Sequence, residues 1–270
     1  MNVVLDMFNH VSFRNNAGIR SAFYSAAFLL QRVIADKLDV DPVEIEIADI
    51  RRVTSENGRD TAEIILTDEL PNGSGFVRHL FNNINEIIQE TITPQEGITY
   101  LSNIHSDSHR ETCKDACYDC LKVFRNMNYH GLLDWRLGIA LMRVMANRNY
   151  LAGADGQFNG FLELEGWSED AKRLRNSFAE SFEFDVLEGF ELPAVLVSKT
   201  KTYYVIIIHP FWNCKVNEDG IPDVPDNTWL AECVYDVYQE AQKNNGIIRF
   251  MDTFNLHRRP GWCYQKLFTE

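Results

Sequence analysis

The sequence of 270 residues contains no long apolar run that could cross a bilayer. A transmembrane helix needs roughly 20 apolar residues, and the longest candidate, 205–208, ends at His209-Pro210. The first ten residues contain Asp6 and lack both the basic start and the apolar stretch of a secretory signal. These features predict a cytoplasmic protein without a membrane-embedded segment.

Basic residues are also scarce. The chain has 26 Lys and Arg residues against 39 Asp and Glu residues, which gives a formal net charge of −13. Both 1–150 and 151–270 are net negative, so neither part offers the positive field that drives non-specific nucleic-acid binding. We therefore expect contact with DNA only through a complex with another protein.

Common catalytic motifs are absent as well. The sequence has no Gly-x-Ser-x-Gly elbow and no His-Glu-x-x-His motif. The glycine-rich stretch 71–75 lacks the Gly-Lys-Ser/Thr ending of a phosphate-binding P-loop, and Phe76 stands where the lysine would be needed. This stretch is therefore interpreted as a strand-to-helix turn that needs glycine for positive φ, and no catalytic residue is predicted.

Hydrophobic periodicity predicts an α+β fold in two domains, 1–152 and a smaller α/β domain 161–270, joined by a glycine-rich linker at 153–160. The first domain is expected to have strands at 44–48 and 62–67 joined by a turn at 54–60, helices at 19–38, 76–90, 117–128 and 132–147, and a loop-rich stretch at 91–108. The second is expected to have helices at 168–182 and 228–243 and strands at 194–198, 203–208 and 247–251.

Three of the six cysteines form a tight cluster, Cys113, Cys117 and Cys120. In a reducing compartment such a cluster is more typical of a metal site than of disulfides. Thiolates suit zinc, and a structural site needs four ligands. His109 is the nearest upstream candidate for the fourth, and the alternatives are His105, His130, Cys214, Cys233 and Cys263.

The residues around this cluster resemble the MrfA-associated zinc-binding domain family. The similarity includes 116–121 (Ala-Cys-Tyr-Asp-Cys-Leu), Asn126, His130 and 133–136 (Leu-Asp-Trp-Arg), with further likeness at 67–76 and 18–38. Many members of this family supply four cysteines, whereas the cluster here has three. The resemblance implies a zinc-stapled helical and β-sheet domain that accompanies a superfamily 2 DNA helicase.

Two downstream stretches, 208–212 and 252–260, are similar to the C-terminal part of the DrmB family of DISARM anti-phage defence. This resemblance implies a non-catalytic accessory subunit or domain that docks with a DrmA-like superfamily 2 helicase. It also implies that the chain starts part-way into the family pattern, as a C-terminal fragment or the product of a split gene would. The alternative is a DNA-processing nuclease in 161–270, because the predicted element order there resembles restriction-endonuclease-like folds.

Arg258 and Arg259 form the densest basic spot in an acidic half of the chain. They could contact phosphate, pair with Asp252, or meet carboxylates of a partner. We predict that they contact DNA or a partner protein.

Overall fold

The computed structural model describes residues 2–4, 16–54, 60–70 and 73–269. These residues divide into two compact units, of which the first ends at Tyr150 and the second begins at Leu151. Both units combine helices and strands, so the predicted α+β class is confirmed. Among the described residues, none of the helices has the length and apolar character that a membrane crossing requires.

The first unit contains three strands, five α-helices and two short 3₁₀ helices among its described residues. Its strands form one antiparallel sheet in the order β1-β3-β2, and β2 has an irregularity at Ala48. The elements are β1 (Asn2–Val4), α1 (Ala17–Leu38), β2 (Ile45–Thr54), β3 (Asp60–Asp68), α2 (Phe76–Ile92), α3 (Tyr100–His105), α4 (Asp107–Thr112) and α5 (Trp135–Ala146).

Helix α1 forms the centre of this unit. Asn16 caps its start by accepting a hydrogen bond from the Gly18 N–H, and Asp39 ends it in the left-handed conformation. Small and apolar side chains are buried around most of its circumference, so it packs on several elements rather than on one. Gly138 of α5 lies against it, and an added Cβ there would come within 2.8 Å of Leu29 Cδ1. The two helices therefore approach closely at a position that only glycine can occupy without rearrangement.

Two predictions for the first unit differ from the structure. The segment 91–108, predicted to be loop-rich, has neither helix nor strand at 93–99 but also contains α3 and the start of α4, because Thr99 and Ser106 cap two short helices. The predicted helix at 117–128 is a series of turns followed by a 3₁₀ helix, Phe124–Tyr129. Here the backbone turns around the cysteine sulfurs, since the N–H groups of Leu121 and Lys122 both donate to the Cys117 carbonyl. The cysteine cluster therefore does not lie in the helical hairpin that was expected.

The glycine-rich turn before α2 behaves as predicted where it is described. Gly73 and Gly75 have positive φ angles of 71° and 84°. The Asp68 carboxylate accepts hydrogen bonds from the N–H groups of Gly75 and Val77, at 2.9 Å each. This carboxylate satisfies the free N–H groups that would otherwise attract an anion. The predicted turn at 54–60 lies largely outside the described residues.

The second unit is built on a four-stranded sheet in the order β4-β5-β6-β9. Strands β4, β5 and β6 are antiparallel, whereas β9 is parallel to β6 and is reached through α7. A two-stranded sheet, β7-β8, and two short helices complete the unit. The elements are α6 (Trp167–Phe182), β4 (Asp185–Leu187), β5 (Ala194–Ser198), β6 (Thr202–Ile208), β7 (Lys215–Val216), β8 (Pro222–Asp223), α7 (Trp229–Lys243), β9 (Ile247–Asp252), α8 (Thr253–Arg258) and α9 (Pro260–Lys266).

The predicted elements of the second unit are all present, with bounds that differ by one residue at most. The apolar runs in β5 and β6 predicted them well, because both strands are almost entirely buried. The sequence did not predict β4, β7, β8, α8 or α9, which are short and have weak periodicity.

Candidate metal centre

The four predicted zinc ligands come together at one point of the first unit. His109 lies in α4, Cys113 caps the C-terminal end of that helix, and Cys117 and Cys120 lie in the turn that follows. The ligand atoms of all four are within 4.8 Å of one another. Three of the four side chains are buried and Cys117 is half-buried, so the cluster is largely shielded from water.

The distances between the ligand atoms fit a tetrahedral zinc site. The Cys117 and Cys120 sulfurs are 3.6 Å apart, those of Cys113 and Cys120 3.8 Å apart, and His109 Nε2 lies 3.5 Å from the Cys117 sulfur. A tetrahedron with Zn–S bonds of about 2.3 Å has sulfur–sulfur edges of about 3.8 Å. Three thiolates and one imidazole therefore have both the chemistry and the spacing of a closed structural site.

The histidine ring is oriented by its other nitrogen. His109 Nδ1 lies 3.0 Å from the backbone oxygen of Ile104, which favours a proton on Nδ1. The lone pair of Nε2 then faces the sulfurs, as required of a zinc ligand. A backbone carbonyl in this position is a usual partner for a ligating histidine.

The three cysteine side chains contact one another directly through their sulfurs. The side-chain hydrogen bond with Cys113 lowers the pKa of Cys120, and the hydrogen bond from the Cys117 N–H acts in the same direction, against desolvation. The hydrogen bond with Cys120 and burial together raise the pKa of Cys113. Zinc binding would displace the thiol protons of the three cysteines.

Residues outside the cluster hold its backbone. The indole N–H of Trp135 donates to the Cys113 carbonyl at 3.0 Å, and the Trp135 backbone N–H donates to the Asp115 carbonyl at 2.8 Å. The Trp135 ring also packs on His109, with centroids 5.2 Å apart. The Tyr100 hydroxyl donates to the Cys120 carbonyl at 2.8 Å. The sequence did not predict these two hydrogen bonds of Trp135, because they join segments about 20 residues apart.

The other candidate fourth ligands have different surroundings. His105 contacts the Thr91 carbonyl through Nε2 and accepts from the Gln95 N–H through Nδ1. His130 Nε2 lies near the Val123 carbonyl and the Asn126 side chain. The three remaining cysteines, which are free thiols of the second unit, are Cys214, Cys233 and Cys263. Of these histidines, His109 is the one whose ring lies beside the three sulfurs, and its role as the fourth zinc ligand stays a prediction.

Arg258 and Arg259 lie at the junction of α8 and α9 in the second unit, and both are half-buried. Arg258 lies over the Phe254 ring, 5.8 Å from its centroid. The Arg259 guanidinium lies over the Trp262 ring at 4.1 Å, and its Nε donates to Asn255 Oδ1. Arg259 contacts Asp252, one of the partners considered from the sequence, indirectly: it donates to Asn255, and Asn255 donates to Asp252.

The surroundings of Asp252, an acidic residue of the segment 161–270, give it a structural role. It ends β9 and caps α8 by accepting from the Asn255 N–H at 2.8 Å, while the Asn255 side-chain amide donates to its other oxygen. Burial raises the pKa of this carboxyl, and the hydrogen bonds from Asn255 oppose that shift. Neither β5 nor β6 carries an acidic residue.

The described geometry defines the first unit as a zinc-binding domain. Residues 26–121 match the family model described as the MrfA Zn-binding domain. The match ends one residue after Cys120 and includes all four candidate ligands.

Similarity to a curated protein is limited to part of the chain. The sequence is 28% identical over 107 residues to Druantia protein DruE of Escherichia coli strain UMEA 4076-1. The aligned region is 40% of this chain and only 5% of that relative. No solved structure shows significant similarity.

Proposed function

We propose that this chain is a non-catalytic, zinc-stabilised accessory domain or subunit that docks with a superfamily 2 DNA helicase, in bacterial anti-phage defence. The observation that carries the proposal is the convergence of His109 and three cysteines inside a segment that matches the MrfA Zn-binding domain family. The similarity to Druantia protein DruE supports the link to defence. A DISARM-like assembly with a DrmA-like helicase is the specific form that we propose.

The role assigned to zinc is structural. With four protein ligands no coordination position remains for water or substrate, which separates such a site from a catalytic one. The ligands lie between α4 and the turn that leads to α5, so the ion would fix the path of the chain between these helices. ATP hydrolysis and DNA translocation would belong to the helicase partner.

Co-expression with a DrmA-like superfamily 2 helicase would test this proposal. The two chains are expected to co-purify with about one zinc per copy of this chain. Cys117→Ser is expected to release the metal and to reduce co-purification. Absence of co-purification with the zinc-loaded chain would overturn the docking proposal, and absence of zinc after purification without chelators would overturn the metal assignment.

The competing nuclease function can be tested with the same preparation. The protein alone is expected to leave supercoiled plasmid uncut in the presence of Mg²⁺ or Mn²⁺, because β5 and β6 offer no carboxylate for a hard cation. Cleavage that is lost in Asp252→Asn, a variant of nearly the same shape, would instead establish a nuclease in 161–270.

A further inference from the structure

A surface groove of about 810 Å³ lies beside the zinc cluster in the first unit. Helix α1 and strand β2 form two of its sides, and the chain that follows Cys120 (Leu121–Tyr129) forms the third. The groove contains none of the four candidate zinc ligands, so it is a feature separate from the metal site.

Strand β2 is an edge strand. It is the last strand in the order β1-β3-β2 and, within the described residues, pairs only with β3. Edge strands present backbone N–H and C=O groups that can pair with another extended chain. The irregularity at Ala48 divides the strand, and the Gln31 side chain donates to the Ile45 carbonyl at its start. Because Gln31 already contacts the Ile45 carbonyl, pairing with another chain would use the part of the edge that follows Ile45.

Aromatic side chains also line the groove. Tyr24 of α1 stacks on Tyr129 with ring centroids 4.9 Å apart, and Phe28 packs against the same ring at 5.9 Å. Phe124, at the rim, is 83% exposed. An exposed aromatic next to an unpaired strand edge is typical of surfaces that bind extended peptides, since the edge binds the main chain and the apolar wall binds alternate side chains.

The groove is negatively charged. Its lining contains four carboxylates, and within the described residues none of them forms an ion pair: Asp41, Glu46, Asp49 and Glu69. Two arginines, Arg32 and the exposed Arg125, line it as well, so the four carboxylates leave a net charge of −2. The Arg32 guanidinium lies over the Tyr100 ring, 4.9 Å from its centroid. This balance repels phosphate and favours a cationic occupant.

We propose that this groove binds an extended segment of a protein partner in which lysine or arginine alternates with apolar residues, and that the segment adds to β2 as a further strand. The identity of the partner as a helicase rests on the proposed function, whereas the chemistry of the segment rests on the groove alone. Main-chain pairing would supply affinity, the carboxylates would select basic residues, and Tyr24, Phe28 and Tyr129 would receive apolar ones.

The zinc cluster would shape this groove through the chain that follows it. Asn126 holds that chain in a fixed turn, because its side chain accepts from the Val123 N–H and donates to the Leu121 carbonyl. The turn begins directly after Cys120, whose carbonyl is held by Tyr100. Loss of zinc is therefore expected to weaken peptide binding even though no ligand touches the groove.

Random peptides displayed on phage and selected on the zinc-loaded full chain would test the proposal. The enriched sequences are expected to alternate apolar residues with lysine or arginine. The double variant Glu46→Lys with Asp49→Lys should weaken the best synthetic peptide about tenfold or more, because it reverses two exposed charges at the strand edge. Glu96→Lys, an exposed acid outside the groove, is the matched control and should have little effect.

N-methylation of the selected peptide tests the pairing without changing the protein. In a strand pair only alternate residues of the added strand point their N–H groups toward the neighbouring strand. Methylation of one alternate set should abolish binding, and methylation of the other set should be tolerated. Equal effects of both sets, acidic consensus sequences, or tighter binding of single-stranded oligonucleotide than of peptide would each overturn the proposal.

One further experiment tests the proposed helicase partner and the proposed groove independently. If the helicase subunit co-purifies with the wild-type chain, the Glu46→Lys and Asp49→Lys double variant should lose it while retaining zinc. Retention of the helicase by this variant would contradict the groove as its docking site but leave the proposed function intact. Peptide binding without helicase co-purification would instead contradict the proposed partner and leave the groove standing.

Discussion

Arg259 holds Asn255 through a hydrogen bond of 2.7 Å from its Nε to the Asn255 side-chain oxygen. Asn255 in turn donates both its backbone and its side-chain N–H to the buried carboxylate of Asp252. Asn255 therefore connects the Arg259 cation to the Asp252 anion, which the arginine itself does not contact. A buried chain of this kind is favourable only while every member keeps its partner.

Removing the middle residue is expected to destabilise the second unit. Asn255→Ala leaves the Asp252 carboxylate with fewer donors, and we expect the free energy of unfolding to fall by about 1–3 kcal/mol. Urea unfolding followed by circular dichroism measures this change. Gln265→Ala, an exposed position in α9, is the control and should have little effect. Equal stability of the two variants would show that Asn255 does not support Asp252.

The predicted contact of Arg258 and Arg259 with DNA can be tested in the complex with the helicase. Arg258→Gln is the sharper variant, since Arg259 also supports Asn255 and its loss would affect stability. If Arg258 contacts a phosphate, the variant should bind DNA more weakly for all sequences and reduce the slope of log affinity against log salt by about 1. Arg173→Gln, an exposed basic position in α6, is the control. An unchanged salt slope would favour contact with a protein instead.

Zinc retention should differ among alanine variants of the three histidines considered as fourth ligand. His109→Ala is expected to weaken retention most, because its Nε2 faces the sulfurs. His105→Ala should lower stability but keep the metal, since this ring holds the Thr91 carbonyl and the Gln95 N–H. Competition with a colorimetric chelator gives the affinities, and thermal melting gives the stabilities. Equal retention in His109→Ala, His105→Ala and His130→Ala would indicate that the fourth ligand is a distant cysteine.

The close contact between α1 and α5 predicts that one added methyl group at Gly138 destabilises the first unit. Gly138→Ala would place a Cβ 2.8 Å from Leu29 Cδ1 and 2.9 Å from Ser25 Cβ, so we expect a loss of about 1–3 kcal/mol despite the better helix propensity of alanine. Gly131→Ala is the matched control, because nothing lies within 4 Å of its added Cβ. A Gly138→Ala variant as stable as Gly131→Ala would mean that the two helices separate easily.

Acidification is expected to destabilise the second unit through His209. Burial lowers the pKa of this histidine from its ordinary 6.5 to about 3. The unfolded chain therefore takes up a proton that the folded chain excludes, and stability is lost as the pH falls from about 6.5 toward 3. His209→Gln keeps an acceptor for the Phe211 N–H but cannot titrate in this range. Its urea midpoint should change less than that of the wild type between pH 7 and pH 5.

The long periodic elements could be predicted from sequence, whereas the surroundings of the cluster could not. Helix α1 and strands β5 and β6 are buried along most of their length, and the apolar residues that this burial requires form patterns that are clear in the sequence. The turn around Cys117 and Cys120 has no such pattern, because sulfur and carbonyl contacts determine its path. The support from Trp135 and Tyr100 depends on packing between distant segments, and spacing along the chain carries no information about it.

The position of Trp135 gives the first unit its own optical signal. Of the five tryptophans in the chain, Trp135 alone precedes Leu151, and the other four belong to the second unit. Its fully buried indole donates to the Cys113 carbonyl and packs on His109, so its emission depends on the same few atoms that hold the metal. Replacing the other four tryptophans with phenylalanine would leave a chain whose intrinsic fluorescence follows the zinc-binding unit by itself.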